Sequence, residues 1–168
     1  MFLLIDCSDG TRVALQGKIP TFAEMTINQS SALPIMVEEL LTKNSVKFSD
    51  INAVGVVVGP GSFTGIRIGI AYAKGIGLAL GIPVIPINRL EVALRDSPDS
   101  IIAIDDKKGG WFAQSRTMPA SAIQSVDGNV IYNPELDIDT AFEIMEEKIN
   151  AANPVIPLYL KPHYAEKK

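Results

Sequence analysis

The sequence predicts a mixed α/β fold, in which a short antiparallel meander runs into alternating helices and parallel strands. Three observations carry this. Residues 2–27 hold three short apolar stretches separated by Ser8-Asp9-Gly10 and Gly17. Residues 30–44 switch to a helical period. Residues 53–58, Ala-Val-Gly-Val-Val-Val, form a continuous apolar run of the kind found in strands buried on both faces.

Residues 2–7 read as a strand that ends at the Ser8-Asp9-Gly10 turn, 11–16 as a second strand closed by Gly17, and 18–27 as a third. In 30–44, Leu33, Met36, Val37, Leu40 and Leu41 fall at i, i+3, i+4, i+7 and i+8. Glu38, Glu39 and Lys43 take the wet face, and Ser30 or Ser31 is placed to cap the start. The strand 53–58 is followed by a Gly59-Pro60-Gly61-Ser62 loop, a helix over 63–80, a strand over 82–87 and a helix over 89–95. The resulting order, βββαβαβα, is that of one lobe of the actin-like ATPase superfold (ribonuclease H-like), and other mixed α/β folds share it. Beyond it, 101–105 reads as a strand, Asp106 to Gly110 as a hairpin connection and 111–116 as its pairing strand. Residues 117–135 are rich in Ser, Pro, Asn, Asp and Gly and read as loop. Ile138, Ala141, Phe142, Met145 and Ile149 mark a last amphipathic helix. Two lobes follow, 1–98 and a shortened 99–168.

Composition narrows the function. The 168 residues carry a net charge of -4. A free-standing nucleic-acid binder would show a basic field, because phosphate neutralisation supplies most of its affinity. Only the tail from Lys161 to Lys168 is locally basic, so any RNA contact is expected to come mainly through a partner. The single cysteine, Cys7, excludes an intrachain disulfide and fits a reducing compartment, hence a cytoplasmic location. The N-terminus has no basic region and too short an apolar run for a signal peptide. Residues 54–87 are apolar, but Arg67, Lys74, Pro60, Pro83 and Pro86 interrupt them, and no membrane span is expected.

The segment 59–81 carries most of the information. At a spacing of four, Gly61, Gly65, Gly69, Ala73, Gly77 and Gly81 form one row, every member Gly or Ala. Arg67, Ala71, Gly75 and Ala79 form a neighbouring row. Glycine inside a helix costs about 1 kcal/mol against alanine, so Gly65, Gly69, Gly75 and Gly77 together oppose the helix by roughly 4 kcal/mol. Close approach of another backbone would offset that. It could be the fold's own sheet, a partner subunit, or a phosphate at the helix N-terminus. The phosphate reading is the weakest of the three. The loop is neither a Walker A sequence nor Gly-x-Gly-x-x-Gly, since Thr64 occupies the third glycine's place, and Pro60 removes one N–H donor.

The run Gly59-Pro-Gly-Ser-Phe-Thr-Gly-Ile-Arg-Ile-Gly69 closely resembles the hallmark of the TsaB (YeaZ) family. Asp6-Cys7-Ser8 resembles the family's Asp-Thr-Ser, with Cys7 in place of Thr, and Asn28-Gln29-Ser30 its Asn-His-Ser, with Gln29 in place of His. Ile101 to Asp105 with Gly109-Gly110 resembles the second-lobe hairpin, and Pro157-Leu-Tyr-Leu-Lys161 the Pro-x-Tyr-Leu-Arg tail. The resemblance implies an actin-like fold and no enzymatic activity of its own. It implies a role in threonylcarbamoylation of adenosine 37 of tRNAs reading ANN codons, through pairing with the TsaD transferase, with the ATPase TsaE joining. The helices over 30–44 and 63–80 would make the pairing, or a homodimer, through Met36, Leu40, Thr64, Gly65, Arg67, Ile68, Gly69, Tyr72, Ala73 and Ile76. Asp6, Ser8, Gly59, Gly61 and Ser62 would be the residues nearest a nucleotide. ATP or ADP and Mg would enter at the level of the complex, and tRNA only through it.

The residues offer little for catalysis. His163 is the only histidine, which rules out a paired-histidine zinc site. Cys7 at a strand end reads as a small buried hydrophobe. Asp105 and Asp106 are adjacent on a strand and point to opposite faces, so they do not form an acid–base pair. Asp6 on the first strand is the one acid with another reading, as the metal ligand of an actin-like small-molecule kinase or ATPase, set against a turn-stabilising role.

Overall fold

The computed structural model describes residues 1–19, 21–23, 28–151 and 154–160. β1 (Phe2–Asp6), β2 (Thr11–Leu15), β3 (Thr21–Ala23), α1 (Gln29–Lys43), β4 (Ala53–Gly59), α2 (Phe63–Leu80), β5 (Val84–Asn88) and α3 (Arg89–Asp96) reproduce the expected βββαβαβα order, with one 3-10 turn over Phe48–Asp50. They build a five-stranded sheet in the order β3-β2-β1-β4-β5. β1 pairs antiparallel with β2 and parallel with β4, and β4 pairs parallel with β5.

The alternation of strand side chains sorts the core into two layers. Leu3, Ile5, Val13, Leu15, Val54, Val56 and Val58 face α1 and α2. Leu4, Ala14, Ala53, Val57, Ile85 and Ile87 face the other way. That far face is covered by Val92 of α3 and by Leu136, Ala141, Phe142, Ile144 and Met145, of which the last four lie on α4 (Ile138–Lys148). α4 thus comes from beyond residue 98 and packs on the first sheet. The two sheets lie on either side of residue 98, and the core on the far face of the first sheet takes residues from both sides of it.

The second sheet has the order β8-β7-β6-β9, from β6 (Ile101–Asp105), β7 (Trp111–Gln114), β8 (Ser121–Ile123) and β9 (Val130–Tyr132). Ile102 and Ile104 pack on Leu90 and Ala93 of α3, which therefore touches both sheets. β8 and β9 correct the expectation of a loop over 117–135. Each is only three residues long and is held by pairing, β8 to β7 and β9 to β6, which local composition does not reveal. The third strand covers 21–23 within the expected 18–27, and residues 24–27 lie outside the described residues. α1 is capped by Asn28, not by Ser30 or Ser31, since Asn28 Oδ1 accepts from the Ser30 amide at 3.2 Å and its hydroxyl at 2.8 Å.

α2 is long and apolar enough to cross a membrane by length and composition alone. Ile66, Ile70, Ala73 and Ile76 lie buried in the core layer against the first sheet, while Arg67 and Lys74 are exposed. It ends at Gly81, whose left-handed backbone (φ 67°) stops the helix.

Candidate functional site

The ends of β1 and β4 and the starts of both facing helices meet at one turn. The buried Asp6 carboxylate accepts from the Ser8 amide at 2.8 Å and the Ser8 hydroxyl at 2.6 Å. The Ser62 amide donates to the Ser8 carbonyl at 2.7 Å. The Ser62 hydroxyl accepts from the Gly65 amide at 3.2 Å and caps α2. From α1, Gln29 Nε2 donates to the Gly10 carbonyl at 2.6 Å and the Cys7 carbonyl at 3.4 Å. Gln29 therefore ties α1 to the turn.

The structure brings Asp6, Ser8, Gly59, Gly61 and Ser62 together and fills the space between them with the chain itself. A Cβ on Gly61 would lie 2.4 Å from the Ser8 carbonyl oxygen, and one on Gly59 would lie 3.3 Å from the Leu158 carbonyl oxygen. Asp6 holds the turn, as its turn-stabilising reading expects. Among the described residues no group of three His, Cys, Asp or Glu side chains is placed to hold a metal ion. Two shallow clefts lie elsewhere, one beside Glu91, Arg95, Gln114 and Arg116, the other beside Arg12, Asp96 and Asp137.

The ten helix positions divide. Met36, Leu40, Gly65, Gly69, Ala73 and Ile76 are buried on the chain's own first sheet. A Cβ on Gly65 would meet the Cys7 carbonyl oxygen at 2.0 Å, and one on Gly77 would meet Val84 Cγ2 at 2.4 Å. Close approach within the fold thus accounts for the row from Gly61 to Gly77. Thr64 and Arg67 are exposed, and Ile68 and Tyr72 half-buried. Burial first, and the Glu38 carboxylate of α1 second, push the Tyr72 phenol above its ordinary range, which places α1 and α2 side by side here.

The second small-residue row has the opposite aspect. Arg67, Ala71, Gly75 and Ala79 are all exposed, and nothing lies within 4 Å of a Cβ on Gly75. Leu78 is 87% exposed beside this row, and Ile35 on α1 is 56% exposed. Sequence reasoning did not single out Ile35 and Leu78. The signal was present for Ile35, an apolar residue outside the Leu33–Met36–Val37–Leu40 stripe.

Residues 154–160 meet the end of β4 and the first turns of α2. The Leu158 amide donates to the Val58 carbonyl at 2.8 Å. Leu158 joins the core under α2, and Leu160 joins the one under the second sheet. Between them Tyr159 accepts a hydrogen bond from Arg67 Nε at 2.8 Å.

The family model described as "TsaD: tRNA N6-adenosine threonylcarbamoyltransferase" matches residues 13–99, just over half of the chain. The chain belongs to that family. It is similar both to proteins named TsaB and to transferases of that name, such as the "tRNA N6-adenosine threonylcarbamoyltransferase" of Clostridium novyi, 42% identical over 60 residues, 36% of this chain and 18% of that one. The "tRNA threonylcarbamoyladenosine biosynthesis protein TsaB" of Escherichia coli K12 is 33% identical over 97 residues, covering 58% of this chain and 36% of that protein. The protein of the same name from Buchnera aphidicola subsp. Baizongia pistaciae is 45% identical over 56 residues, 33% of this chain and 25% of that one. The chain thus spans about a third or less of these relatives' length. A solved structure, YeaZ from Pseudomonas aeruginosa, matches with a TM-score of 0.73 over 95% of this chain and 99% of that one, at 20% identity. The actin-like, ribonuclease H-like fold is the family's. Sequence likeness to the family model stops near residue 99, whereas the fold likeness runs through the second sheet.

Cys7, where the TsaB motif has Thr, is not a reactive thiol. Burial first and the neighbouring Asp6 carboxylate second push its pKa up to about 12, against a smaller lowering by a hydrogen bond to Thr11. The native chain is expected to resist a thiol reagent at pH 8 and to react at once in denaturant. Fast labelling of the folded chain would contradict the buried position. Between pH 9.0, the ordinary thiol value, and about 12 the folded chain keeps a proton that the unfolded chain has lost. The stability linked to Cys7 is therefore whole below pH 9.0 and is lost as pH rises through this window.

Proposed function

We propose that this chain is a non-catalytic subunit of the machinery that threonylcarbamoylates adenosine 37 of tRNAs reading ANN codons. It acts by binding a TsaD transferase subunit, and TsaE joins the pair. The observation that carries this reading is the outward row Arg67, Ala71, Gly75 and Ala79, with Leu78 exposed on the same helix and Ile35 exposed on the neighbouring α1. Exposed small residues along one helix let a partner helix approach closely, and exposed large apolar side chains on the two helices favour burial. Family membership supplies the pathway, and the turn at Asp6, closed by the chain's own loop, offers no catalytic set. The net charge of -4 fits a protein that reaches tRNA only through its complex in the cytoplasm. ATP or ADP with Mg enters at that level, and the same face serves a homodimer when TsaD is absent.

The test is size-exclusion chromatography with light scattering, on the chain alone and mixed with TsaD of the same organism. Substitution at Gly69 is unsuited, because a Cβ there already lies 3.5 Å from Cys7 and a long side chain would disturb the fold. Ile35→Arg together with Ala71→Arg changes only exposed positions. These variants are expected to weaken association at least about tenfold, with the melting temperature little changed. A double variant that still co-elutes with TsaD at wild-type affinity would sink the reading.

A further inference from the structure

Arg67 is held more firmly than its exposure requires. Phe63, one turn earlier on α2, lies under its guanidinium at 3.8 Å from the ring centroid. Tyr159, from a segment 92 residues away in the chain, accepts from Nε at 2.8 Å, and its ring packs on Phe63 with centroids 5.4 Å apart. Tyr159 is itself 48% exposed, and Ile156 in the same segment is 63% exposed. Among the described residues no carboxylate pairs with Arg67. One face and the Nε edge of the guanidinium are thus engaged, which fixes its plane. Its terminal nitrogens pair with no acid among the described residues.

A guanidinium fixed in this way has lost most of its rotamer freedom before any ligand arrives, so a bidentate acceptor gains nearly the full charge-assisted bond. We propose that Tyr159 is a positioning residue that sets Arg67 as the receptor for one carboxylate of TsaD, so that the partner interface runs from α2 onto the 154–160 segment. This rests on the partner reading above. A carboxylate is favoured over an RNA phosphate by the surroundings. Glu38 and Glu39 are exposed on the neighbouring helix, and Glu38 acts on Tyr72, little more than one turn from Arg67. A phosphodiester backbone would meet those acids, whereas a single side-chain carboxylate need meet only Arg67.

The experiment is the affinity for full-length TsaD, by calorimetry at low and high salt, of wild type, Tyr159→Phe, Arg67→Gln, Arg67→Lys and the double variant Tyr159→Phe with Arg67→Gln. Tyr159→Phe keeps the ring and removes the oxygen that accepts from Nε. It is expected to weaken binding about fivefold, and Arg67→Gln about thirtyfold. The double variant is expected to be no weaker than Arg67→Gln alone, because Tyr159 acts only through Arg67. Arg67→Lys is expected to lose about tenfold, since an ammonium lacks the planar fork. Additive losses in the double variant, or unchanged affinity in Tyr159→Phe or Arg67→Lys, would overturn the proposal and leave the partner reading standing. Unchanged TsaD affinity with weakened tRNA retention by the complex would overturn it in favour of a phosphate contact. Wild type that fails to bind TsaD would overturn both readings. Melting temperatures of the variants, expected within about 2 °C of wild type, separate this role from a purely structural one.

Discussion

Gly65→Ala is expected to lower the stability of this chain by about 3 kcal/mol, against the sign that helix propensity predicts. Inside a helix, alanine gains about 1 kcal/mol over glycine. At Gly65 the added carbon would stand 2.0 Å from the Cys7 carbonyl oxygen, 3.2 Å from the Cys7 carbonyl carbon and 2.8 Å from Gln29 Oε1. The first two belong to backbone, so relief requires that α2 lift from the turn. That movement strains the Ser62 amide bond to the Ser8 carbonyl, and a Gln29 side chain pushed aside by the new carbon strains its own bonds to the Gly10 and Cys7 carbonyls. Overpacking of this kind costs about 1–3 kcal/mol, and the loss of hydrogen bonds adds to it. Gly75→Ala is the control, since nothing lies within 4 Å of its Cβ. It should gain about 0.5–1 kcal/mol. Urea denaturation of the two variants reads both signs. A stabilising Gly65→Ala would show that α2 does not rest on the turn as described.

These two glycines show how far the sequence can be read. Both lie in the 63–80 helix and both break its propensity, so the sequence predicts that close approach occurs but not at which row. A helix has no outside until a sheet lies against it. The row Gly61 to Gly77 meets Cys7 and Ser8 just beyond β1 and Ile82 and Val84 around the start of β5, whereas the row Arg67 to Ala79 is exposed and Arg67 reaches Tyr159. The strands were legible where they were long and continuous, as over Ala53–Gly59, because period and apolarity are local properties. The three-residue strands Ser121–Ile123 and Val130–Tyr132 were not, because they exist through pairing with β7 and β6. Asp6 was legible as an important acid and as a turn former, since its bonds to Ser8 are local, but the docking of the Gly61–Ser62 loop on that turn, more than fifty residues on, was not. The anchoring of Arg67 depends likewise on Tyr159, which no spacing within α2 could indicate.

Residues 1–98 alone are expected not to fold, although they hold all of β1–β5 and α1–α3. The apolar period of the 138–149 segment predicts a helix with one buried face, but periodicity names no partner for that face. In the structure it is the far side of the first sheet. Met145 and Ile144 are fully buried, Met145 lying against Gly55, where a Cβ would meet its Sδ at 2.3 Å. Removing everything after residue 98 uncovers Leu4, Ala53, Val57, Ile85 and Ile87, which Leu136, Ala141, Phe142, Ile144 and Met145 cover in the whole chain. Burial of a large aliphatic or aromatic side chain contributes about 1.5–3 kcal/mol, so the loss of four such covering groups removes about 6–12 kcal/mol. Domains of this size are stable by only about 5–15 kcal/mol, and the two quantities are equal in scale. Met145→Ala in the whole chain is the smaller version of the same test and is expected to cost about 3 kcal/mol. Circular dichroism and amide dispersion of the 1–98 fragment read the outcome directly. A cooperative melt from that fragment would mean that the first lobe supports its own sheet and that α4 is an accessory. A disordered fragment alongside a destabilised Met145→Ala would mean that the cut between lobes runs through a shared core.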